Sequence, residues 1–209
     1  MKARLATIPY DGVKRILDIV SAGLLIVLAT PVMAIIAVLV AAKLGQPVLF
    51  RQPRPGRDGR VFTLLKFRSM LPVDYARGRV EDVDRLTPFG RMLRSTSLDE
   101  LPSLLNVLLG EMSIVGPRPL LVEYLDRYSP EQARRHEVRP GITGLAQVSG
   151  RNAITWEEKF RLDVAYVDSR SFALDARIIA WTFRSVLAQD GISHAEHATM
   201  MKFGDVHDN

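Results

Sequence analysis

Two adjacent carboxylates, Asp99 and Glu100, stand where an apolar helical pattern begins in "RSTSLDELPSLLNVLLGEMSIVGPRP", residues 94–119. The structural interpretation is a helix cap: with Asp99 as N-cap, Pro102 falls where the backbone amide is unpaired in any helix. The chemical interpretation is that an ionised Asp99 could bind Mg²⁺ or attack phosphorus as a nucleophile. The two interpretations are compatible, since a helix N-terminus favours an ionised carboxylate.

Arginines recur around this acidic pair, several of them inside turns such as "GPRP" and "VRPG". They are Arg91, Arg94, Arg118, Arg139 and Arg151. Guanidinium groups match the geometry of phosphate and bind it through paired hydrogen bonds. The pattern therefore predicts a site for a phosphorylated substrate, with a solvated basic face as the alternative interpretation.

The segment "IVSAGLLIVLATPVMAIIAVLVAA", residues 19–42, carries no charged side chain and is long enough to enter a membrane. Pro31 stands at its middle, and each half reaches only roughly 18 Å at about 1.5 Å per residue. Because proline removes a helical hydrogen bond, we expect a kink at Pro31. The hydroxyl of Thr30 is placed to bond a carbonyl that this kink frees.

Basic residues on both sides of the apolar segment bear on its topology. They include Lys14 and Arg15 before it and Arg51 and Arg54 after it. Lysine and arginine favour the cytoplasmic side of a membrane. We therefore predict a re-entrant helix that enters and leaves at the cytoplasmic face. A kinked transmembrane anchor and a cleaved signal peptide are the alternatives.

The remaining pattern predicts an α+β fold that is mostly helical. The predicted elements are a β-hairpin over 45–70, helices over 88–95, 98–109, 156–168 and 174–189, and a loop over 137–152. The hairpin should turn at "PGRDG", and Thr155 should cap the helix that follows it. The last helix is apolar nearly all round, which suits burial or contact with the membrane interface. The predicted fold places amphipathic interfacial helices around the active site.

The sequence divides into three predicted parts. An N-terminal segment with the membrane helix is predicted over 1–43, a catalytic domain over 44–192 and a loosely held tail over 193–209.

Composition limits the class of protein. The 28 Lys and Arg residues exceed the 23 Asp and Glu residues, and the net charge of +5 favours an anionic partner. The chain has no cysteine, which excludes disulfides and thiolate chemistry. Phosphate-loop, dinucleotide-binding and zinc-protease motifs are missing.

Five blocks of the sequence together resemble the bacterial sugar transferases, a family of monotopic polyprenyl-phosphate phosphoglycosyl transferases. The blocks are "KRILDIVSA" (14–22), "VLFRQPRPGRDGRVFTLLKFRSM" (48–70), "LTPFGRMLRSTSLDELPSLLNVLLGEMSIVGPRP" (86–119), "RPGITGLAQVSGRN" (139–152) and "WEEKFRLDVAYVDSRSFALDARI" (156–178). The third block, which contains the acidic pair, is the most specific.

The resemblance implies transfer of sugar-1-phosphate from a nucleotide diphosphate-sugar, usually a UDP-sugar, to polyprenyl phosphate, with release of UMP. It implies ping-pong chemistry with Mg²⁺ as cofactor, a phosphosugar intermediate on Asp99, and Asp99 as a ligand of the metal. The role of Glu100 beside it stays open between binding metal and accepting a proton. The substrate-binding candidates that the resemblance provides are Lys66, Arg94, Arg118, Arg151 and Asp175.

The resemblance also implies a location and partners. The protein should lie at the cytoplasmic face of the bacterial inner membrane, with its re-entrant helix, and perform the first membrane step of polysaccharide or glycoconjugate synthesis. We expect no nucleic-acid partner; a homo-oligomer, the sugar and the pathway stay open. Two alternatives remain: a non-catalytic, membrane-anchored basic module that binds polyanions, and a diphosphate-sugar hydrolase.

Overall fold

The computed structural model describes residues 8–150, 154–188 and 203. Its helices are α1 (Ile8–Leu44), α2 (Asp82–Arg85), α3 (Pro88–Ser95), α4 (Ser103–Leu109), α5 (Pro130–Ala133), α6 (Leu145–Ser149), α7 (Trp156–Ser169) and α8 (Phe172–Ala188). Its strands are β1 (Leu49–Pro55), β2 (Val61–Phe67), β3 (Ser113–Val115) and β4 (Gly141–Thr143). Short 3₁₀ turns occupy Arg57–Gly59, Tyr75–Arg77, Leu98–Glu100, Val122–Arg127 and Arg134–Glu137. The prediction of a mostly helical α+β fold is confirmed.

The predicted β-hairpin is also confirmed, since β1 pairs antiparallel with β2 and the chain turns at residues 57–59. The partners across the hairpin include Phe50 with Lys66, Gln52 with Leu64 and Arg54 with Phe62. Residues opposite each other in an antiparallel pair project from the same face of the sheet. Gln52 and Arg54 therefore share a face with Lys66.

The second edge of β2 is covered by side chains of α4. Asn106 accepts a hydrogen bond from the Leu65 amide (3.1 Å) and donates one to the Thr63 carbonyl (2.8 Å). The Ser103 hydroxyl donates to the Leu65 carbonyl (2.7 Å). Ser103 and Asn106 are both buried, and a buried backbone group without such a partner would cost about 1–3 kcal/mol. These bonds fix α4, and the turn before it, against the strand that carries Lys66.

Helix α1 contacts the rest of the protein on both sides of Pro31. Ala22, before the proline, packs in a hydrophobic cluster with β2 and α4. Ile36 and Val40, after the proline, pack in a second cluster with β2 and α3. Leu101 lies against both clusters. Both arms of the helix thus bury apolar surface against the same domain, which favours a helix that returns to the face it entered.

The centre of α1 is apolar and exposed. Residues Tyr10–Leu44 are long and apolar enough to cross a membrane, with a mean hydropathy of 2.9 over an 18-residue window, and Val27 is 70% exposed. Helix α1 continues through Pro31, and the Thr30 hydroxyl donates to the Ile26 carbonyl (2.7 Å). Proline frees the carbonyl four residues before it, which is that of Val27. Thr30 instead bonds the Ile26 carbonyl, one residue earlier than the prediction requires. The kink itself stays a prediction.

Charged side chains in the first turns of α1 are paired inside the protein. Arg15 donates to the Val107 and Leu108 carbonyls at the end of α4 (2.6 and 2.9 Å). Lys14 forms an ion pair with Asp175 of α8 (2.8 Å). Both side chains therefore anchor α1 to the domain.

A parallel pair of short strands, β3 with β4, lies beside the hairpin-and-helix core. The prediction that residues 137–152 form a loop is wrong, since they contain β4 and α6. Two glycines in this segment allow the backbone to approach Gly116 closely. A Cβ built on Gly141 would lie 2.1 Å from the Gly116 amide nitrogen, and a Cβ built on Gly144 would lie 2.2 Å from the Gly116 carbonyl oxygen. These contacts fix the Gly-Pro-Arg-Pro turn that begins at Gly116.

Helices α7 and α8 form where the sequence predicts them. The Thr155 hydroxyl accepts a hydrogen bond from the Glu158 amide, which confirms the predicted cap. Helix α8 buries Ile178 completely and exposes 41% of Trp181 and 67% of Phe183. Exposed aromatic side chains on a helix with a buried face are typical of contact with a membrane interface.

The predicted tail, residues 193–209, lies outside the described residues except for Phe203. The Phe203 ring packs edge-on against that of Phe160, with 4.9 Å between ring centroids, and its amide donates to the Tyr124 hydroxyl (3.2 Å). At this residue the prediction of a loosely held tail is wrong.

Candidate active site

The acidic pair lies in the 3₁₀ turn Leu98–Glu100, just before α4. The prediction that Asp99 caps this helix is wrong, because Pro102 occupies the N-cap position and Asp99 lies inside the preceding turn. Ser97 enters the turn in the left-handed conformation, with a φ of 57°, which costs about 1–3 kcal/mol. Such strain persists only where surrounding contacts hold it, and here it positions both carboxylates.

Glu100 is held by two cations. Its Oε1 atom accepts hydrogen bonds from Lys66 Nζ (2.5 Å) and Arg118 Nη2 (3.0 Å). Burial alone would raise the pKa of Glu100, but the charges of Lys66 and Arg118 and their hydrogen bonds outweigh burial and lower the pKa to about 2. Glu100 is therefore ionised at neutral pH and joins β2 to the Gly-Pro-Arg-Pro turn.

Asp99 is in a different environment, with 7% of its surface exposed. In the part of the chain that the structure describes, no donor forms a hydrogen bond to its carboxylate. Burial raises the pKa of Asp99 to about 6, and the negative charge of Glu100 adds to this increase, while three nearby cations oppose it. The carboxylate is thus ionised near neutral pH but poorly solvated, which suits a nucleophile or a metal ligand.

Lys66, Arg94 and Arg118 surround the acidic pair, as the sequence predicts. Arg94 Nε donates to the Ser69 hydroxyl (2.9 Å). Burial lowers the pKa of Arg94, and the negative charge of Asp99 opposes this decrease. All three cations therefore lower the pKa of Asp99, and Lys66 and Arg118 also bond directly to Glu100.

A buried ion pair that the sequence did not reveal positions Arg118. Arg135 is 2% exposed; it pairs with Asp163 Oδ2 (2.7 Å) and donates to the Arg118 carbonyl (2.7 Å). No spacing rule connects residues so far apart in sequence. The available signal was a carboxylate on the apolar face of α7, because Asp163 stands one turn from the buried Phe160 and Val167.

Another predicted site residue, Asp175, lies where three helices meet. Asp175 accepts hydrogen bonds from Tyr10 Oη, Lys14 Nζ and Tyr166 Oη, each of 2.8 Å. These bonds join α8 to α1 and α7. Among the described residues none links Asp175 to the acidic pair, so its role in binding substrate stays a prediction. Arg151 lies outside the described residues.

The residues present fit a Mg²⁺ ion bound largely through substrate oxygens. Within the described ranges, no group of three or more acidic or histidine side chains could enclose a metal. Mg²⁺ at phosphoryl-transfer sites is commonly held by one or two carboxylates together with phosphate oxygens and water. Asp99 is the carboxylate with both oxygens available among the described residues, whereas Glu100 has only Oε2 available, because Oε1 is bonded to Lys66 and Arg118.

An open groove connects the acidic pair with the exposed apolar side of α1. Its lining includes Asp99, Glu100, Leu17, Leu24 and Leu25. The three leucines are 50%, 59% and 45% exposed. The groove therefore has a charged end for a water-soluble phosphorylated compound and an apolar end for a lipid.

Comparison with known proteins decides the family. Residues 9–189 match the family model described as bacterial sugar transferase. The chain belongs to the bacterial sugar transferases. It is accordingly an enzyme of the transferase class, and the acidic pair between its cationic side chains is the candidate active site of a sugar transferase.

Its relatives include proteins with named reactions. The chain is 50% identical to the uncharacterized sugar transferase EpsL of Bacillus subtilis, over 92% of this chain and 98% of that protein. It is 41% identical to the UDP-glucose:undecaprenyl-phosphate glucose-1-phosphate transferase of Caulobacter vibrioides, over 89% of this chain and 74% of that protein. It is 36% identical to the undecaprenyl-phosphate galactose phosphotransferase of Salmonella typhimurium, over 85% of this chain and 41% of that protein. The named sugar differs among these relatives.

We predict that Asp99→Asn stabilises the protein at neutral pH. Raising the Asp99 pKa from 3.8 to about 6 means that the folded state holds an ionised carboxylate unfavourably above pH 6. At 1.36 kcal/mol per pKa unit, the variant should gain about 2–3 kcal/mol in free energy of unfolding at pH 7.5. The gain should shrink as the pH falls through 6 towards 4, because the native carboxylate then binds a proton.

Thermal unfolding of the detergent-solubilised protein at pH 5 and pH 7.5 measures this difference. Asp126→Asn removes an exposed carboxylate and serves as the control. A gain for Asp99→Asn that is larger at pH 5 than at pH 7.5, or no gain at either pH, would contradict the proposed environment of Asp99.

Proposed function

We propose that the protein transfers sugar-1-phosphate from a UDP-sugar to polyprenyl phosphate, with release of UMP, through a covalent phosphosugar on Asp99. The difference between the two carboxylates supports this proposal. Lys66 and Arg118 saturate Glu100 Oε1, whereas Asp99 is buried and accepts no hydrogen bond from the described residues. A nucleophile needs an accessible lone pair, which Asp99 retains. The relatives named as undecaprenyl-phosphate sugar-phosphate transferases support the reaction class.

In the first half-reaction, a carboxylate oxygen of Asp99 attacks the phosphorus that carries the sugar. The bond from this phosphorus to the bridging oxygen breaks, and UMP leaves with the bonding electrons. Lys66, Arg94 and Arg118 reduce the repulsion between the anionic diphosphate and the carboxylate. When bound at Asp99, Mg²⁺ would supply further neutralisation of charge on the phosphate oxygens.

In the second half-reaction, an oxygen of polyprenyl phosphate attacks the same phosphorus, and Asp99 leaves as the free carboxylate. The attacking phosphate is already anionic at neutral pH, so the step needs no strong base. With a pKa of about 2, Glu100 is a poor proton acceptor. We assign it the role of fixing Lys66 and Arg118 beside Asp99.

The location follows from the two substrates. We infer that the domain lies at the cytoplasmic face of the bacterial inner membrane, where UDP-sugars are available, and that α1 is re-entrant. The packing of Ala22 and Val40, on either side of Pro31, against one domain supports this topology. A basic module for polyanions is less well supported, because it would not place the buried carboxylate Asp99 among its cations.

We predict that the protein in lipid nanodiscs with Mg²⁺ converts a labelled UDP-sugar into a labelled polyprenyl product and one equivalent of UMP. Asp99→Asn should lower the rate by at least about 10³-fold without releasing the protein from the membrane. Removal of Mg²⁺ by EDTA should abolish transfer, and added Mg²⁺ should restore it. Continuous UMP release without polyprenyl phosphate would indicate a hydrolase instead.

We predict that both ends of α1 face the cytoplasm. The chain has no cysteine, so Gly12→Cys and Ala42→Cys each provide a single thiol, and a Cβ at Gly12 meets no atom within 4 Å. An impermeant maleimide should label both variants in inverted membrane vesicles and neither in intact spheroplasts. Labelling of either one in spheroplasts would establish a spanning helix.

A further inference from the structure

Arg54 on β1 is a partly buried arginine that no acidic residue neutralises. Its Nη2 atom donates to the neutral Gln52 side chain (2.6 Å), and its Nε atom is buried without a hydrogen-bond partner. Among the described residues, no carboxylate forms an ion pair with Arg54. A cation removed from water without a counter-charge is unfavourable, and the described residues supply none, so a bound anion would stabilise this site.

Other arginines with little exposure show the usual solution. Arg79, Arg85, Arg135 and Arg170 pair with Asp74, Asp82, Asp163 and Asp11 respectively. In each pair a carboxylate neutralises the arginine, although Arg79 and Arg170 also have a buried Nε atom without a hydrogen-bond partner. Arg54 differs because no carboxylate among the described residues pairs with it, and the charged neighbour with the largest effect on its pKa is another cation.

That neighbour is Arg118, which lines the same groove as Arg54 and the acidic pair. Burial and then repulsion by Arg118 lower the pKa of Arg54 to about 10. The same two causes lower the pKa of Lys159, whose ammonium group lies 4.9 Å from the centre of the Trp156 ring. Arg54, Arg118 and Lys159 all line this groove, and a group of cations in one groove favours an anionic ligand.

The proposed chemistry requires one position that binds two phosphates in turn. In-line displacement places the leaving UMP phosphate opposite Asp99, across the phosphorus that is attacked. In the second displacement Asp99 is the leaving group, so the lipid phosphate must attack from the side that UMP has vacated. The two occupants are chemically alike at this position, because UMP and polyprenyl phosphate are both phosphate monoesters.

We propose that Arg54, together with Arg118, forms this shared subsite for a phosphate monoester. The subsite first holds the phosphate of UMP and then the phosphate of polyprenyl phosphate. This inference rests on the proposed function and extends it, since it names the residue that both substrates use. Arg54 shares a hairpin face with Lys66, so the phosphate held there lies on the same side of the sheet as the acidic pair.

Steady-state kinetics of Arg54→Gln in nanodiscs test the shared subsite. We expect kcat/KM for the UDP-sugar and kcat/KM for polyprenyl phosphate each to fall by about 10-fold or more, since both lose a charged hydrogen bond. The inhibition constant of UMP against polyprenyl phosphate should rise by a similar factor. Arg54→Lys keeps the charge and should recover part of each loss.

The matched control is Arg51→Gln, because Arg51 lies on the same strand but is exposed and outside the groove. All three constants should stay within about twofold of the native values in this variant. Thermal unfolding shows whether Arg54→Gln is folded. If Arg54→Gln does not fold, Arg54→Lys is measured alone. Native values of all three constants for Arg54→Lys would then reject the subsite.

Three results would overturn the proposal: no change in either kcat/KM, a fall for the UDP-sugar alone, or a fall for polyprenyl phosphate alone. The last two would assign Arg54 to the donor or to the acceptor only. Failure of the proposed function can be told apart from failure of the subsite, because in the former case the native protein itself would form no lipid product. Native values of both kcat/KM for Arg54→Gln, beside an inactive Asp99→Asn, would reject the subsite and leave the proposed function intact.

Discussion

The pairing of Glu100 with Lys66 and Arg118 is the interaction on which the site depends. It joins the hairpin, the turn before α4 and the Gly-Pro-Arg-Pro turn at one carboxylate oxygen. It also separates the properties of two adjacent acids, because the cations lower the pKa of Glu100 to about 2 while burial raises that of Asp99 to about 6. One carboxylate becomes a fixed structural anion, and the other keeps lone pairs for chemistry.

Other buried polar contacts keep this arrangement in register. Asn106 replaces a third strand at the edge of β2 and so sets the distance from Lys66 to the turn of the acidic pair. Arg135 donates a hydrogen bond to the backbone carbonyl of Arg118, and Asp163 in turn pairs with Arg135. Such networks are rigid only when every member is bonded, which explains why polar residues far from the groove contribute to its geometry.

The sequence predicted features that depend on local chemistry, namely the hairpin turn, the helix that begins at Pro88 and the cap at Thr155. Residue types alone pointed to the acidic pair, Arg94 and Arg118, whereas Lys66 entered only through the resemblance to a family. Contacts between distant segments were not predictable in this way: neither the Arg135–Asp163 pair nor the β3–β4 pairing has a local signature. The prediction that Asp99 caps a helix was wrong because helix-capping preferences do not predict a 3₁₀ turn. Here such a turn follows Ser97, whose backbone is in the left-handed conformation.

The central claim is that Asp99 carries the phosphosugar, and the mass of the intact protein tests it most directly. Detergent-solubilised protein is incubated with Mg²⁺ and a panel of UDP-sugars, without polyprenyl phosphate. The covalent mechanism predicts a mass increase of one sugar phosphate on the native protein and none on Asp99→Asn. Polyprenyl phosphate should then remove the adduct. UMP release that requires polyprenyl phosphate, with no adduct for any sugar, would contradict the mechanism and indicate direct transfer.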